Sequence, residues 1–133
     1  MSKKVLILCT GNSCRSIIAE ALINAELNGI SADSSGVKAS GRVNTNAKKV
    51  LEEAGIWKEA YYSKTLNTVI DNDYDLVVTV CDNAKETCPM FPKAVKTLHI
   101  SFEDPDGKEY GAFKKTLKEI RETLLPEIKK ALI

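Results

Sequence analysis

The sequence has almost no excess charge and no long apolar run. Its 133 residues carry 19 Lys and Arg against 18 Asp and Glu, a formal charge of +1. Proteins that bind nucleic acid or anionic membranes usually carry a basic excess that neutralises phosphates, so neither partner is expected. The aliphatic run 5–8 is far shorter than a signal peptide's apolar segment or a membrane span of about 20 residues. We predict one cytoplasmic domain over 1–133, monomeric by default.

Histidine is also nearly absent, whereas four cysteines are present: Cys9, Cys14, Cys81 and Cys88. Without an export signal, the reducing compartment favours thiol chemistry or metal binding over structural disulfides. The six residues between Cys81 and Cys88 exceed the gap of about two to four usual for paired zinc ligands. A thiol-based metal or redox sensor stays an alternative to an enzyme, and stoichiometric zinc would support it.

Strands and helices alternate along the chain. Short apolar runs predict strands at 3–8, 31–37, 76–80 and 95–100. Helical spacing predicts helices at 16–27, 46–54 and 109–132, the last interrupted at Pro126. This alternation predicts an α/β three-layer sandwich with a four-stranded parallel sheet flanked by helices. Such sheets bind ligands at the carboxyl ends of their strands.

The segment from Cys9 to Ser16 leaves the first strand and enters the first helix. Between a strand and a helix, successive N–H groups and the positive end of the helix dipole can form a nest for a tetrahedral oxyanion. The Arg15 guanidinium can grip two oxygens of such an anion. The same donors should lower the pKa of the Cys9 thiol and make it a nucleophile. The predicted anion-binding residues are Thr10, Gly11, Asn12, Ser13, Cys14, Arg15 and Ser16.

This segment resembles the phosphate loop shared by low-molecular-weight protein tyrosine phosphatases and thioredoxin-coupled arsenate reductases. The resemblance continues through residues 34–36, 75–81, 88–89 and 104–107. It implies the same parallel sheet flanked by helices. It also selects Asp104, just before Pro105, as the acid that donates a proton to the departing oxygen.

Cys81 and Cys88 separate the two branches of this family, because a phosphatase needs one nucleophilic cysteine. A reductase must supply two electrons per turnover, so the additional cysteines favour arsenate reduction and arsenic detoxification. The resemblance implies that Cys9 attacks arsenate, that Cys81 attacks Cys9 and releases arsenite, and that Cys88 then attacks Cys81. Reduced thioredoxin would reopen the last disulfide, although glutaredoxin with glutathione stays open as the reductant. The alternative function is a low-molecular-weight protein tyrosine phosphatase.

The spacing of this second pair requires movement. On a continuous helix, seven residues at about 1.5 Å each place the Cα atoms of Cys81 and Cys88 about 10.5 Å apart. A disulfide needs about 4.4–6.8 Å. We therefore expect the segment between them to refold or loop out on oxidation.

No tightly bound cofactor is predicted, and potassium is the one ion in question. Some arsenate reductases of this kind hold potassium through Asn, Glu, Ser and Asp side chains. Asn12, Glu20 and Ser34 match the first three, whereas residues 63–66 contain no aspartate. The resemblance leaves potassium binding open and puts Lys64 forward as the positive charge in its place.

Overall fold

A four-stranded parallel sheet forms the centre of the molecule, in a computed structural model that describes residues 3–81 and 95–132. The strand order is β2-β1-β3-β4. The strands are β1 (Lys3–Cys9), β2 (Ile30–Gly36), β3 (Leu76–Thr79) and β4 (Lys96–His99). The predicted parallel sheet flanked by helices is therefore confirmed.

The helices follow the predicted order. They are α1 (Arg15–Glu26), α2 (Thr45–Glu53), α3 (Tyr110–Glu119) and α4 (Leu125–Leu132), with a short 3-10 turn at Leu66–Thr68. None of the helices within 3–81 and 95–132 is long and apolar enough to cross a lipid bilayer.

The two central strands and the first helix form the centre of the core. In β1 and β3 the segments 5–8 and 76–78 are fully buried, as expected for parallel strands covered on both faces. Helix α1 has eight consecutive buried residues, from Ser16 to Ile23. A helix buried on every side cannot shift without disturbing the core, so it provides a rigid base for the loop that precedes it.

Pro126 does not interrupt the last helical segment, and this part of the prediction is wrong. The chain stays helical from Tyr110 to Leu132, with a π-helical segment over Ile120–Leu124 just before the proline. Proline lacks an N–H and its ring crowds the carbonyl of the residue four positions earlier. The wider π turn accommodates that crowding within the helix. Ile120, Leu124 and Ile128 consequently remain buried.

Strand register brings the predicted site residues to one edge of the sheet. Cys9 lies opposite Gly36 of β2, and Leu8 lies opposite Thr79 of β3. The ladder between β1 and β3 continues past Thr79, because the Val80 N–H donates to the Leu8 carbonyl at 3.0 Å. Cys9 and Cys81 therefore leave the carboxyl ends of neighbouring strands.

Candidate active site

The loop between β1 and α1 directs its carbonyl groups outward. Four of its carbonyls accept hydrogen bonds from N–H groups of the segment 37–44 at 2.9–3.0 Å. Given as N–H donor and carbonyl acceptor, the pairs are Val37 and Cys9, Lys38 and Thr10, Ser40 and Gly11, and Asn44 and Ser13. In a trans peptide the carbonyl and the next N–H point in opposite directions, so the following amides face the other side of the loop. That arrangement is the nest predicted from the sequence.

A cavity of about 250 Å³ lies on the inner side of this loop. All seven residues from Cys9 to Arg15 line it, together with Ser40, Asp104 and Asp106. The N-terminus of α1 begins at Arg15 and adds the positive end of its dipole. The cavity thus combines a cysteine, main-chain donors and a guanidinium, which is the chemistry needed to bind a tetrahedral oxyanion beside a nucleophile.

Asn12 fixes the conformation of the loop. Its φ is 50°, the only positive φ at a non-glycine residue in the described part of the chain, and its side chain is fully buried. Its Nδ2 donates to Ser16 Oγ at 2.8 Å and to Ser34 Oγ at 2.9 Å. Its Oδ1 accepts from the Lys64 N–H at 2.8 Å. These bonds compensate the cost of the left-handed backbone and tie the loop to α1, β2 and the segment containing Lys64.

Gly36 lets β2 approach the loop. A Cβ at this position would lie 2.5 Å from the Thr10 carbonyl oxygen and 3.1 Å from Asn12 N. The Gly36 N–H in turn donates to the Lys64 carbonyl at 2.9 Å. A side chain at residue 36 would therefore push directly on the main chain of the anion loop.

The three candidate potassium ligands do come together, but they do not fit a cation. Ser34 Oγ donates to Glu20 Oε1 at 2.6 Å, and Asn12 presents its NH₂ group to Ser34. The Asn12 oxygen already accepts from the Lys64 N–H and the Ser34 hydroxyl already donates to Glu20, so few side-chain oxygens are left for an ion and two of them are hydrogen-bonded. Hard cations require more oxygen ligands than this. We assign no step to potassium.

Glu20 is a buried carboxyl whose neighbours only partly compensate the cost of burying its charge. Burial raises its pKa to about 7, while the charge of Lys64 and the hydrogen bond from Ser34 act in the opposite direction. The Lys64 ammonium lies 4.6 Å from the centre of the Tyr62 ring and 3.4 Å from the Tyr62 carbonyl oxygen. Lys64 therefore acts on Glu20 through its charge rather than as the bound replacement for a cation.

Arg15 and Asp104 meet at the rim of the cavity. Arg15 Nη1 donates to the Phe102 carbonyl at 2.9 Å, and Nη2 lies 3.5 Å from Asp104 Oδ2. The Arg15 side chain is 13% exposed, whereas that of Asp104 is 52% exposed. Asp104 Oδ1 also accepts from the Asp106 N–H at 3.0 Å. The carboxyl that the sequence singled out is thus held over the loop with access to solvent.

Cys9 lines the cavity and is hydrogen-bonded to the thiol of Cys81, and each of the two residues is only 4% exposed. Thr10 Oγ1 lies 3.2 Å from Cys81 Sγ. The hydrogen bond between the two thiols and the burial of Cys9 raise the pKa of Cys9 well above its usual value, against the opposing effects of Arg15 and the Thr10 amide. The predicted lowering of this pKa is therefore wrong for this arrangement, because the sequence did not reveal that a second sulfur faces the nucleophile.

Of the other two cysteines, the structure describes Cys14 but not Cys88. Cys14 is a buried free thiol whose Sγ lies 3.7 Å from Ser13 Oγ, and burial raises its pKa to about 12. Cys88 lies outside the described residues, so its predicted role stays a prediction.

Sequence reasoning missed the supports around the loop. Ser63 Oγ donates to the Gly11 carbonyl and accepts from the Gly41 N–H, both at 3.1 Å. Asn44 caps α2 through its side-chain oxygen, and its Nδ2 donates to Asp106 Oδ1 at 2.7 Å. The preference of asparagine for helix N-caps was a usable signal for Asn44. Ser63 carried no comparable pattern.

Comparison with known proteins identifies similar proteins that are named arsenate reductases. An "Arsenate reductase" of Brevibacillus brevis is 41% identical over 119 residues, covering 89% of this chain and 88% of that protein. An "Arsenate reductase" of Bacillus cereus is 42% identical over 123 residues, covering 92% and 91%. The solved arsenate reductase from Archaeoglobus fulgidus is 34% identical, with a TM-score of 0.80, and covers 94% of this chain and 98% of its own.

A phosphatase structure is equally similar in fold. The low molecular weight protein tyrosine phosphatase from T. tengcongensis has a TM-score of 0.84 at 29% identity, covering 97% of this chain and 99% of its own. A family model described as low molecular weight phosphotyrosine protein phosphatase matches residues 4–132. With its sheet, its anion loop and its relatives in agreement, the chain belongs to the low molecular weight phosphotyrosine protein phosphatase family.

Proposed function

We propose that this protein reduces arsenate to arsenite, in a cycle that passes electrons from thioredoxin through Cys88 and Cys81 to Cys9. The contact between Cys9 and Cys81 beneath the anion loop carries the proposal. A phosphatase has no use for a second thiol against its nucleophile, whereas a reductase needs one there. The curated relatives at 41–42% identity that are named arsenate reductases support the same choice.

The first step is a displacement at arsenic. The loop amides and Arg15 hold the oxyanion with its arsenic next to the Cys9 sulfur. Cys9 forms the sulfur–arsenic bond, and one arsenate oxygen leaves as water after taking up the thiol proton. Asp104, held beside Arg15, is positioned to pass that proton to the leaving oxygen. Concentrating donors where charge develops is the main contribution of the loop.

The second step reduces the arsenic. Cys81 attacks the sulfur of Cys9, the sulfur–arsenic bond breaks, and its electron pair leaves with arsenic as arsenite. The product on the protein is a disulfide between Cys9 and Cys81, so two electrons have moved from the thiols to arsenic. The Thr10 hydroxyl, 3.2 Å from Cys81 Sγ, can donate to the attacking thiolate.

The remaining steps regenerate Cys9. Cys88 attacks Cys81, which frees Cys9, and reduced thioredoxin then opens the new disulfide by thiol exchange. We further propose that the protein acts as a monomer in the cytoplasm, without nucleic acid or membrane partners.

A coupled assay tests this function. Protein, thioredoxin, thioredoxin reductase and NADPH are combined, and the loss of NADPH is followed when arsenate is added. The expected result is sustained oxidation in the wild type, and about one turnover followed by a stall in Cys88→Ser. Sustained turnover in Cys88→Ser would refute the relay.

Hydrolysis of phosphate esters is the second candidate, because Cys9, Arg15 and Asp104, the residues that this reaction would use, line one cavity. Rapid hydrolysis of an aryl phosphate without arsenate-dependent NADPH oxidation would make the protein a phosphatase. Stoichiometric zinc in the purified protein would contradict both enzymatic functions and favour the sensor.

A further inference from the structure

Two carboxylates line the anion cavity. Asp104 and Asp106 both border the space enclosed by residues 9–15. Besides burial, the charges of both carboxylates raise the pKa of the Cys14 thiol in that loop. Asp104 is partly neutralised by the Arg15 guanidinium, whose Nη2 lies 3.5 Å from Asp104 Oδ2. Asp106 is bonded to the neutral side chain of Asn44, so this partner leaves its negative charge in place beside the cavity.

Asp106 is held in position from two sides. Asn44 Nδ2 donates to Asp106 Oδ1 at 2.7 Å, and the Asp106 N–H donates to Asp104 Oδ1 at 3.0 Å. Asn44 is itself fixed, because its N–H donates to the Ser13 carbonyl at 3.0 Å and its side-chain oxygen caps α2. A carboxylate can accept hydrogen bonds at both oxygens, so the bond from Asn44 leaves acceptor capacity for a ligand.

The cavity therefore combines donors from the loop with an acceptor from the facing segment. The loop amides and Arg15 donate, so they suit the unprotonated oxygens of an anion. As a carboxylate, Asp106 can only accept, so it suits a protonated oxygen. Near neutral pH, the dianions of free arsenate and free phosphate keep an O–H group. Sulfate has none, and a phosphate monoester is mostly a dianion without one, because its second pKa is about 6.

Asp106 also lies where the anion cavity meets a second cavity of about 400 Å³. Ser13, Ser40 and Asp106 line both cavities, and Asn44 lines the second. The hydrogen bond between Asn44 and Asp106 consequently lies at the border between the two. An ester group extending from the bound anion towards the second cavity would meet this charged, hydrogen-bonded pair.

We propose that Asp106 is a specificity-determining residue that reserves the anion loop for free oxyanions carrying an O–H group. Its carboxylate accepts a hydrogen bond from that group. Sulfate and phosphate monoesters present a charged or a substituted oxygen in its place, and neither can donate to the carboxylate. The inference rests on the proposed function, in which arsenate is the oxyanion that benefits. It gives Asp106 a role separate from that of Asp104, the proton donor to the departing oxygen.

Binding of three unreactive anions tests this role. Inorganic phosphate, sulfate and phenylphosphonate are mainly dianions at pH 8, and among these dianions only that of phosphate has an O–H group. Isothermal titration calorimetry measures their dissociation constants for the wild type, Asp106→Asn and Asp106→Ala. The wild type should bind phosphate at least about tenfold more tightly than the other two anions, as expected for a hydrogen bond to a charged group. In both variants this preference should fall to about threefold or less.

Glu103→Gln is the matched control. Glu103 lies in the same segment, is exposed, and pairs with Lys108 beside a different cavity. Its replacement removes one negative charge and should leave the preference for phosphate unchanged. Equal affinities in the wild type, a preference that survives in both Asp106 variants, or an equal fall in Glu103→Gln would overturn the proposal.

The result is separable from the arsenate reductase function, because none of the three anions is reduced. A protein that shows the expected preference and its loss in the Asp106 variants, but no arsenate-dependent oxidation of NADPH, would support the role of Asp106 and contradict the proposed function. Sustained arsenate-dependent oxidation without any preference for phosphate over sulfate would refute the role of Asp106 alone.

Discussion

Gly36→Ala is the most direct test of how the sheet supports the anion loop. The added Cβ would lie 2.5 Å from the Thr10 carbonyl oxygen, whereas ordinary contact begins at 3.4 Å. The difference, 3.4 minus 2.5, requires a displacement of about 0.9 Å. Neither neighbour is the end of a flexible side chain, since the nearest atoms belong to the main chain of Thr10 and to Asn12. The loop itself must therefore move.

The expected effects are a loss of stability and a loss of activity. Overpacking of this kind costs about 1–3 kcal/mol of unfolding free energy, which lowers the melting temperature by roughly 3–10 °C. The Thr10 carbonyl also accepts from the Lys38 N–H at 3.0 Å, and that bond would be strained. A misplacement near 1 Å of groups that bind the reacting atoms lowers the rate by about 10²-fold.

Gly111→Ala is the matched control. Gly111 lies in α3, and a Cβ added there has no atom within 4 Å. Alanine should stabilise the helix by up to about 1 kcal/mol and leave turnover unchanged. Urea unfolding and arsenate-dependent NADPH oxidation measure both variants. If Gly36→Ala unfolds within about 0.5 kcal/mol of the wild type and keeps its turnover, the steric argument is refuted.

Two further predictions concern the network behind the loop. Asn12→Gly should lose about 2–3 kcal/mol of unfolding free energy, because it removes three side-chain hydrogen bonds, two of them buried. Asn12→Ala should lose about 1 kcal/mol more, because φ at this position is 50°. Equal urea midpoints for the two variants would contradict this cost of the left-handed backbone. Burial raises the pKa of Glu20 to about 7, above its value in the unfolded chain of about 4.3, so its contribution to stability is present at low pH and falls as pH rises through 7. The difference in unfolding free energy between wild type and Glu20→Gln should therefore shift by about 2–3 kcal/mol between pH 5 and pH 8, and a constant difference would show that Glu20 does not titrate in this range.

The sequence predicted those features that depend on local pattern. Apolar runs without alternation, such as residues 5–8, are typical of strands buried on both faces, and here they form the centre of the sheet. The anion loop was also predicted from local pattern, because a strand, a glycine, an arginine and a helix follow one another in the segment from Cys9 to Ser16. The same patterns placed Cys9 and Cys81 at the carboxyl ends of two strands, but they did not predict the contact between the two thiols.

The sequence did not predict the features that depend on contacts between residues far apart in the chain. The Cys9 pKa depends on a sulfur 72 positions away in the chain, and the sequence does not give the distance between them. The partners of the loop carbonyls are main-chain N–H groups of residues 37–44, which any residue except proline can supply. Before Pro126 the helix can either end or widen into a π turn. The packing of Ile120 and Leu124 on the core decides between the two, and the sequence does not show that packing.

The uninterrupted burial of Ser16 to Ile23 has a consequence for how substrates are accommodated. The side of the anion loop that enters α1 is held by these buried residues and offers a fixed arrangement of donors to the oxygen atoms of the anion. Any adjustment to the longer bonds of arsenate compared with phosphate must come from the opposite, half-exposed wall that carries Asp104. Engineering a preference between the two anions should therefore begin with the exposed residues of this wall, 103–104 and 106–107, where change costs the core least.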